Sequence, residues 1–368
     1  MLLAAVGLLS LIGSAGGGPP LQTLYRDPAG KIDAFAQDGS LLAWFAPSVK
    51  RCNAVHVLSL ANGTKVTLPR QSGGTPNVTC RWELRGPQPV QIAIAGRTAH
   101  SDALWTLREH APVPYDYAVG ASVLDRTERR FRELAHTPQG AGLWLGGIAG
   151  DGRTLVYAVT AVTYVDQVSC LAQLSGRACR LRIASRGSGI RRLTGRKDPF
   201  VPGTGPALAV AASGDEIAYI PAVRVGEGGR PLPGPGTAVP VRNARTGRLV
   251  SRVEPHGTPA GLALSHDMLS LLVHRGRSAR IVWYDPATGA RLGSVAVPRT
   301  TAPALSASNR LVVFRVGRSI RAVDAVTHRV RKLATAAATP IGLSIEGRRV
   351  AWAENVHGRG RIRALHLG

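Results

Sequence analysis

The chain has 368 residues, of which 44% are hydrophobic and 18% charged; these proportions exclude an intrinsically disordered chain and predict a packed core. Its formal charge of +24 is carried almost wholly by arginine, because the only lysines are Lys31, Lys50, Lys65, Lys197 and Lys332. A positive field favours polyanionic partners such as nucleic acid, anionic lipid or cell-wall polymers. A GC-rich genome would impose the same arginine-rich composition on any protein, so both explanations stay open.

Residues 1–20 carry no charge and contain an apolar run from Leu2 to Ile12 that small residues follow. The run suits a secretory signal peptide and is too short to span a bilayer comfortably. No basic residue precedes it, so a plain flexible terminus is the alternative. No later stretch offers about eighteen consecutive apolar residues, so no transmembrane anchor is expected. The sequence thus predicts a secreted or envelope location, with a single domain over residues 21–368.

Four cysteines, an even number, suit an oxidising compartment in which all of them can be paired. Neighbours in sequence suggest Cys52 with Cys80 and Cys170 with Cys179, although the connectivity stays open. Four buried free thiols are the alternative. Neither pair has the CxxC spacing of a zinc or redox site, so no metal or cofactor is expected.

In chain order, one unit recurs: an apolar stretch, a tight turn rich in Asp, Gly, Ser or Asn, and a run of β-forming residues. A more degenerate copy without the Asp-Gly pair spans Glu83 to Ala95. The clear copies are Phe35–Phe45, Ile148–Val159, Val210–Ile220, Leu262–Val273, Ala304–Val316 and Leu343–Glu354.

A second unit follows most of these copies and predicts a hairpin, because Asp, Asn, Gly and Thr at its bend favour tight turns. Its copies are His56–Leu68, Ser122–Leu134, Cys179–Leu193, Ala238–Val253, Ala279–Val295 and Ser319–Leu333.

Together the two units give four strands per cycle, which is one blade of a β-propeller. The sequence therefore predicts an all-β chain forming a single β-propeller of seven four-stranded blades, with six blades as the alternative. The last cycle has only three strands, and Leu21–Arg26 can supply the fourth, so the N- and C-terminal strands are expected to pair and close the ring. Small residues in the first strands, at Ala207–Ala212 and Pro303–Ser308, suit the crowded axis.

The words at Asp151–Val159, Asp38–Phe45 and Gly214–Ile220 resemble the bacterial WD-repeat-like, TolB-type propeller repeat, which reads roughly Ser-Pro-Asp-Gly followed by a β-run ending in an aromatic residue. The resemblance implies a secreted or periplasmic propeller that binds proteins or other partners; some relatives precede peptidase domains. No copy here carries the Ser-Pro pair, and the Trp-Asp and Gly-His pairs of the eukaryotic repeat are absent in register.

No catalytic motif is found: the chain has no GxSxG elbow, P-loop or HExxH. The glycines between Gly146 and Gly152 are interpreted as a strand ending in a turn. His266, Asp267 and His274 are interpreted as residues at or near a blade turn rather than metal ligands. No catalytic residue is therefore named, although a propeller can still gather polar groups at its central channel from distant blades.

Basic residues alternate along the outer hairpins of the last blades, which places them on one strand face. The predicted contacts to a polyanion are Arg329, Arg331, Lys332, Arg361 and Arg363. Aromatic residues do not alternate with them, so nucleic acid is not the expected partner.

The sequence predicts an exported, monomeric, noncatalytic propeller that binds a protein or an anionic envelope polymer through one face or its inserted loops. The alternatives are a lyase or hydrolase with its active site at the channel mouth, and polyanion binding through an arginine-rich rim.

Overall fold

The computed structural model of the chain describes residues 20–26, 30–48, 51–67, 91–95, 103–108, 119–124, 131–133, 142–165, 181–194, 198–226 and 230–368. Within these ranges every regular element is a β-strand in an antiparallel sheet, so the all-β prediction is confirmed for them. None of these residues belongs to a helix that is long and apolar enough to cross a membrane.

The strand β1 (Leu21–Arg26) comes first and joins the last sheet of the chain. Sheet 1 contains β2 (Ala34–Asp38), β3 (Leu41–Ser48), β4 (Arg51–Ser59) and β5 (Lys65–Thr67). Sheet 2 contains β6 (Gln91–Ile94), β7 (Ala103–Arg108), β8 (Val119–Leu124) and β9 (Phe131–Glu133). Sheet 3 contains β10 (Gly142–Asp151), β11 (Thr154–Tyr164) and β12 (Leu181–Arg192). Sheet 4 contains β13 (Ala207–Ser213), β14 (Glu216–Pro221), β17 (Val239–Asn243) and β18 (Leu249–Val253), with a small hairpin of β15 (Arg224–Val225) and β16 (Pro231–Leu232) inserted after β14.

Sheets 5 to 7 are the most regular. Sheet 5 contains β19 (Thr258–Ser265), β20 (Met268–Arg275), β21 (Ser278–Tyr284) and β22 (Arg291–Val297). Sheet 6 contains β23 (Ser306–Ser308), β24 (Leu311–Val316), β25 (Ser319–Asp324) and β26 (Val330–Thr335). Sheet 7 contains β27 (Ile341–Glu346), β28 (Arg349–Val356) and β29 (Arg359–His366). The strand β1 pairs antiparallel with β29, with Leu21 opposite Leu365, and so becomes the fourth strand of sheet 7. This is the partner that the sequence predicts for the N-terminal strand.

The outer hairpins of sheets 4, 5 and 6 share one turn chemistry. Between β21 and β22, Asp285 Oδ1 accepts the N–H of Ala287 at 2.8 Å, and the N–H of Gly289 donates to the Asp285 carbonyl at 2.8 Å. Asn243 and Asp324 accept the equivalent N–H groups in the other two turns. Such side-chain turns explain why Asp or Asn recurs at this bend.

A large buried side chain lies within the β-run of the repeated word. Trp44, Tyr157, Tyr219, Phe314 and Trp352 occupy the same repeat position on second strands and are at most 4% exposed. They fill the space between neighbouring sheets, where apolar clusters form the core. Burial of these aromatic side chains therefore accounts for the pattern of the word.

The first strands of the sheets contact one another in order. Strand β2 contacts β6, which contacts β10, and the series continues through β13, β19, β23 and β27 back to β2. Glycine is needed where these strands approach one another most closely. A Cβ on Gly342 would overlap the carbonyl oxygen of Phe35, and a Cβ on Gly261 would overlap that of Pro303, just before β23. Gly150 approaches the Ile94 carbonyl oxygen in the same way. Sheets arranged in this way around their first strands form a propeller-like architecture.

Two predicted units differ from the structure. The segment Gln91–Ile94 is the first strand of sheet 2, whereas the degenerate unit Glu83–Ala95 predicted that it follows the turn. The predicted hairpin Cys179–Leu193 is instead one long strand, β12, in which Gly187 and Gly189 have positive φ values of 81° and 153°. These glycines bend the strand without reversing it, and the reversal comes later, where Phe200 bridges to Arg191.

Candidate functional site

A cavity of about 390 Å³ lies where the seven first strands meet. Each of these strands contributes to its lining, and about half of the lining residues are small, as at Ala36, Ala93, Ala149, Ala211 and Ala263. Segments Val210–Ser213 and Leu305–Asn309 also line it, in agreement with the small residues that the sequence places near the axis.

Three carboxylates, Asp38, Asp151 and Glu346, give the cavity a polar end at the turns that follow the first strands. Each accepts a backbone N–H from a turn glycine of another sheet. Asp38 Oδ2 lies 3.1 Å from Gly152 N, Asp151 Oδ2 lies 2.6 Å from Gly214 N, and Glu346 accepts the N–H of Gly39. The acids therefore link sheets to one another.

Glu346 titrates differently from an exposed glutamate. Burial raises its pKa, and the negative charges of Asp38 and Asp151 raise it further, whereas Arg349 and the N–H of Gly39 oppose the shift. Glu346 therefore keeps its proton to a higher pH than an exposed glutamate does, and a carboxyl that carries a proton can donate a hydrogen bond or that proton.

Other hydrogen bonds join the same turns. Arg349 Nε donates to Gln37 Oε1 at 2.9 Å, and Ser306 Oγ accepts the N–H of Ile345 at 3.0 Å. Ser265 Oγ lies 3.1 Å from the carbonyl oxygen of Asn309. The face of the molecule that carries these turns is called the turn face below, and its polar groups are held in place by bonds between sheets.

Among the described residues that line the cavity, serine and histidine do not pair as they would in a hydrolase. Ser265, beside His266 in sequence, has its hydroxyl 3.0 Å from Asp267 Oδ1 rather than on the imidazole. Among the described residues no group of three or more His, Cys, Asp or Glu side chains could hold a metal ion. His266 and Asp267 form the turn between β19 and β20, and His274 lies near the end of β20.

A second cavity on the turn face, of about 640 Å³, is called the arginine groove. Four exposed arginines line it: Arg310, Arg329, Arg331 and Arg348. Two acids also line it, but Asp324 is engaged by its own turn and Asp267 approaches Arg310 only to 3.9 Å. The groove therefore keeps a net positive charge.

The structure separates the predicted polyanion contacts. Arg329 and Arg331 lie in the arginine groove, and Lys332 is exposed on β26 next to it. Arg361 lies on β29, where both its Nε and its Nη2 donate to Glu354 Oε1 at 2.7 Å. Glu354 is only 2% exposed, so Arg361 neutralises a buried charge.

Arg363 also lies on β29, away from the groove. Burial lowers its pKa, and the nearby charge of Arg361 lowers it further. Of the four cysteines, Cys52 lies on β4 with its side chain outside the described residues. The whole of Cys80, Cys170 and Cys179 lies outside them, so the pairing of the cysteines stays a prediction.

Sequence reasoning missed Arg310, Arg348 and Glu346. The sequence does carry a pattern for the two arginines. Arg310 and Arg348 both follow the turn residue of the repeated word, as Arg153 does in Asp-Gly-Arg. Aligning the words by their turns would have brought these arginines to one face.

Comparison with solved structures shows similarity at the level of the fold. A chain of the mitotic checkpoint complex matches with a TM-score of 0.51 at 11% identity, over 100% of this chain and 99% of that one. The acylaminoacyl peptidase of Pyrococcus horikoshii matches with a TM-score of 0.50 at 10% identity, over 89% of this chain and 49% of that one. A puromycin hydrolase variant complexed with PGG matches with a TM-score of 0.51 at 13% identity, over 89% of this chain and 50% of that one.

This chain thus spans about half the length of the two hydrolases. No protein-family model matches the sequence, and no curated protein matches it significantly.

Proposed function

We propose that the chain is an exported, noncatalytic β-propeller of seven blades, closed by its N- and C-terminal strands, that binds a protein or cell-envelope component through its turn face. The observation that carries the proposal is the use of the cavity carboxylates: Asp38 and Asp151 accept backbone N–H groups of other sheets. Carboxylates that hold neighbouring turns together by hydrogen bonds suit a rigid surface for binding a partner better than a reaction centre.

Ring closure is supported by the pairing of β1 with β29 and by the contact of β27 with β2. Its test is Gln22→Pro, which removes an N–H from the ladder opposite Ala364. Hydrogen exchange of the β29 amides that face β1 should speed up, while exchange in sheet 5 stays unchanged. Unchanged exchange in β29 would contradict closure by the two terminal strands.

The binding face is tested with two double variants of equal charge. Arg153→Glu with Arg310→Glu alters the turn face, and Arg277→Glu with Arg359→Glu alters the turns at the opposite ends of the strands. All four side chains are exposed, so the fold should tolerate both variants. A partner captured by the unaltered chain from envelope extract at low salt, and identified by mass spectrometry, should be lost only with the first variant. Loss only with the second, or no partner at all, would refute the proposal.

The alternative function is an enzyme, a lyase or hydrolase, at the mouth of the central cavity. The raised pKa of Glu346 favours it, because a carboxyl that keeps its proton to higher pH is better suited to act as a general acid. Its test is turnover of chromogenic esters, glycosides and phosphate esters by the unaltered chain and by Glu346→Gln. Activity that disappears in the variant at unchanged stability would support the enzyme; activity that survives the substitution would exclude this site.

Polyanion binding is a further alternative, and the arginine groove favours it, since Arg329 and Arg331 lie there without an ion pair to any described carboxylate within 4.0 Å. Binding of long-chain polyphosphate should weaken steeply with salt, because counterions are released when charges pair. Arg329→Ala with Arg331→Ala should reduce the salt slope, whereas Arg153→Ala with Arg277→Ala, of equal charge, should leave it nearly unchanged. A flat salt dependence in the unaltered chain would rule this function out.

A further inference from the structure

A third cavity, of about 370 Å³, lies on the outer part of sheet 5 where that sheet packs against sheet 4. Val273, Val282 and Tyr284 form its apolar floor and belong to the core cluster shared with sheet 4. The cavity is separate from the central cavity and from the arginine groove, with which it shares no lining residue. It is called the blade-edge pocket below.

Strand alternation brings cations over this floor. Arg280, Val282 and Tyr284 occupy alternate positions of β21 and so project from one face of the sheet. Arg275 on β20 and Arg291 at the start of β22 complete the rim. Three exposed guanidinium groups therefore surround a floor of buried apolar side chains.

Two of these guanidinium groups converge on a single oxygen. Arg280 Nη2 donates to Ser294 Oγ at 2.9 Å, and Arg291 Nη2 donates to the same oxygen at 2.7 Å. A hydroxyl oxygen has two lone pairs and can accept both bonds, but it brings no negative charge to offset the repulsion. None of the described residues that line the pocket is Asp or Glu. An oxyanion placed beside Ser294 would accept hydrogen bonds from both guanidinium groups, and its negative charge would offset the repulsion between them.

The remaining polar groups suit the same ligand. Burial raises the pKa of Tyr284, against the opposing effect of Arg291, so its hydroxyl stays neutral and adds no negative charge to the floor. His256, exposed at the rim, can donate a hydrogen bond. The volume lies within the range of small-molecule sites, which combine an apolar lining with a few convergent polar groups.

We propose that the blade-edge pocket binds a small organic anion that joins a phosphate- or sulfate-type head group to an apolar or aromatic body. The head group contacts Arg280 and Arg291, and the body lies on Val273, Val282 and Tyr284. This site is additional to partner binding at the turn face and does not depend on it.

The test is calorimetric titration of the full chain with phenyl phosphate, inorganic phosphate and phenol. Phenyl phosphate should bind tightest, since only it uses both the cations and the floor. Arg280→Ala and Arg291→Ala should each weaken it about tenfold or more, the usual effect of losing one hydrogen bond to a charged group. The matched control, Arg153→Ala with Arg359→Ala, removes two exposed arginines elsewhere and should change the affinity less than about twofold.

A second measurement uses the unaltered protein and so does not depend on the folding of variants. Phenyl phosphate should slow hydrogen exchange in β21 and β22 and leave β25 and β26 unchanged. The proposal is overturned if the unaltered chain does not bind phenyl phosphate at millimolar concentration, or if inorganic phosphate binds as tightly. Equal weakening in the control pair would also overturn it, because that result would show a response to total charge alone.

Discussion

Glu354 is the most deeply buried acid in the described part of the chain, and replacing it with glutamine tests whether Arg361 stabilises the fold. Oε1 accepts two bonds from Arg361, and Oε2 accepts the N–H of Ala337 at 2.8 Å in the segment between β26 and β27. Both oxygens thus face donors. An amide fills the same space, but whichever way it turns, its NH₂ group meets a donor.

The expected cost follows from this geometry. Breaking a buried ion pair by removing one partner costs about 3–5 kcal/mol, because the other charge is left uncompensated. The Arg361 side chain is 24% exposed, so water offsets part of the loss, and we expect about 3 kcal/mol for Glu354→Gln at neutral pH. Adding Arg361→Met to Glu354→Gln should recover part of the stability, since the orphaned charge is then gone.

The assay is urea unfolding followed by tryptophan fluorescence and circular dichroism, with free energies compared at a common slope. The chain provides its own control in Arg252 and Glu254, which lie 3.8 Å apart with side chains 65% and 76% exposed. Glu254→Gln should change the stability by less than about 0.5 kcal/mol. If Glu354→Gln costs no more than this control, the structural role of Arg361 is refuted and its availability to a polyanion is restored.

Three further predictions concern the turns and the inner strands. Gly261→Ala should destabilise the protein by about 3 kcal/mol or more, because the new methyl overlaps the Pro303 carbonyl, whereas Gly205→Ala, with open space around it, should change stability by less than about 1 kcal/mol in the same urea assay. Asp285→Ala should lower the free energy of unfolding by about 1 kcal/mol at pH 7. The backbone N–H of Ala287 and the Thr288 hydroxyl lower the pKa of Asp285 in the folded state, so this cost should shrink as pH falls through that pKa. A cost that does not depend on pH would contradict this assignment. Glu346→Gln should raise the free energy of unfolding at neutral pH, because the pKa of Glu346 is raised in the folded state. Unfolding measured at a series of pH values should show this gain disappearing as pH falls below the pKa of the unfolded state. An equal gain at all pH values would contradict this prediction.

The fold was largely readable from the sequence because its determinants are local. An Asp or Asn at a bend forms its own turn, as Asp285 does, and period-two alternation places Trp352 in the core whatever lies beyond it. The prediction failed where a glycine can either form a hairpin turn or bend a continuous strand. The sequence around Gly187 and Gly189 predicts a hairpin turn, but these residues only bend β12.

The candidate site was less readable, because its chemistry depends on residues far apart in sequence. The pKa of Glu346 is raised by burial and then by the charges of Asp38 and Asp151, which no spacing rule brings together. Likewise, Arg361 alternates with Ile362 just as a surface arginine would, and only the position of Glu354 shows that it is engaged. Alternation predicts the face of a strand, but not whether the space above that face is water or a buried charge.

The pairing of β1 with β29 constrains when the protein can finish folding. Leu21 is synthesised 344 residues before its partner Leu365, so β1 has no partner while the chain between them is being made. Sheets 4, 5 and 6 are each built from one contiguous segment and can form as they emerge. Sheet 7 has to wait, and bringing its distant strands together carries the largest loop-closure entropy in the described fold. Until β1 pairs with β29, both strands expose unpaired edges that can pair with other chains, so aggregation is expected most at this stage of biogenesis.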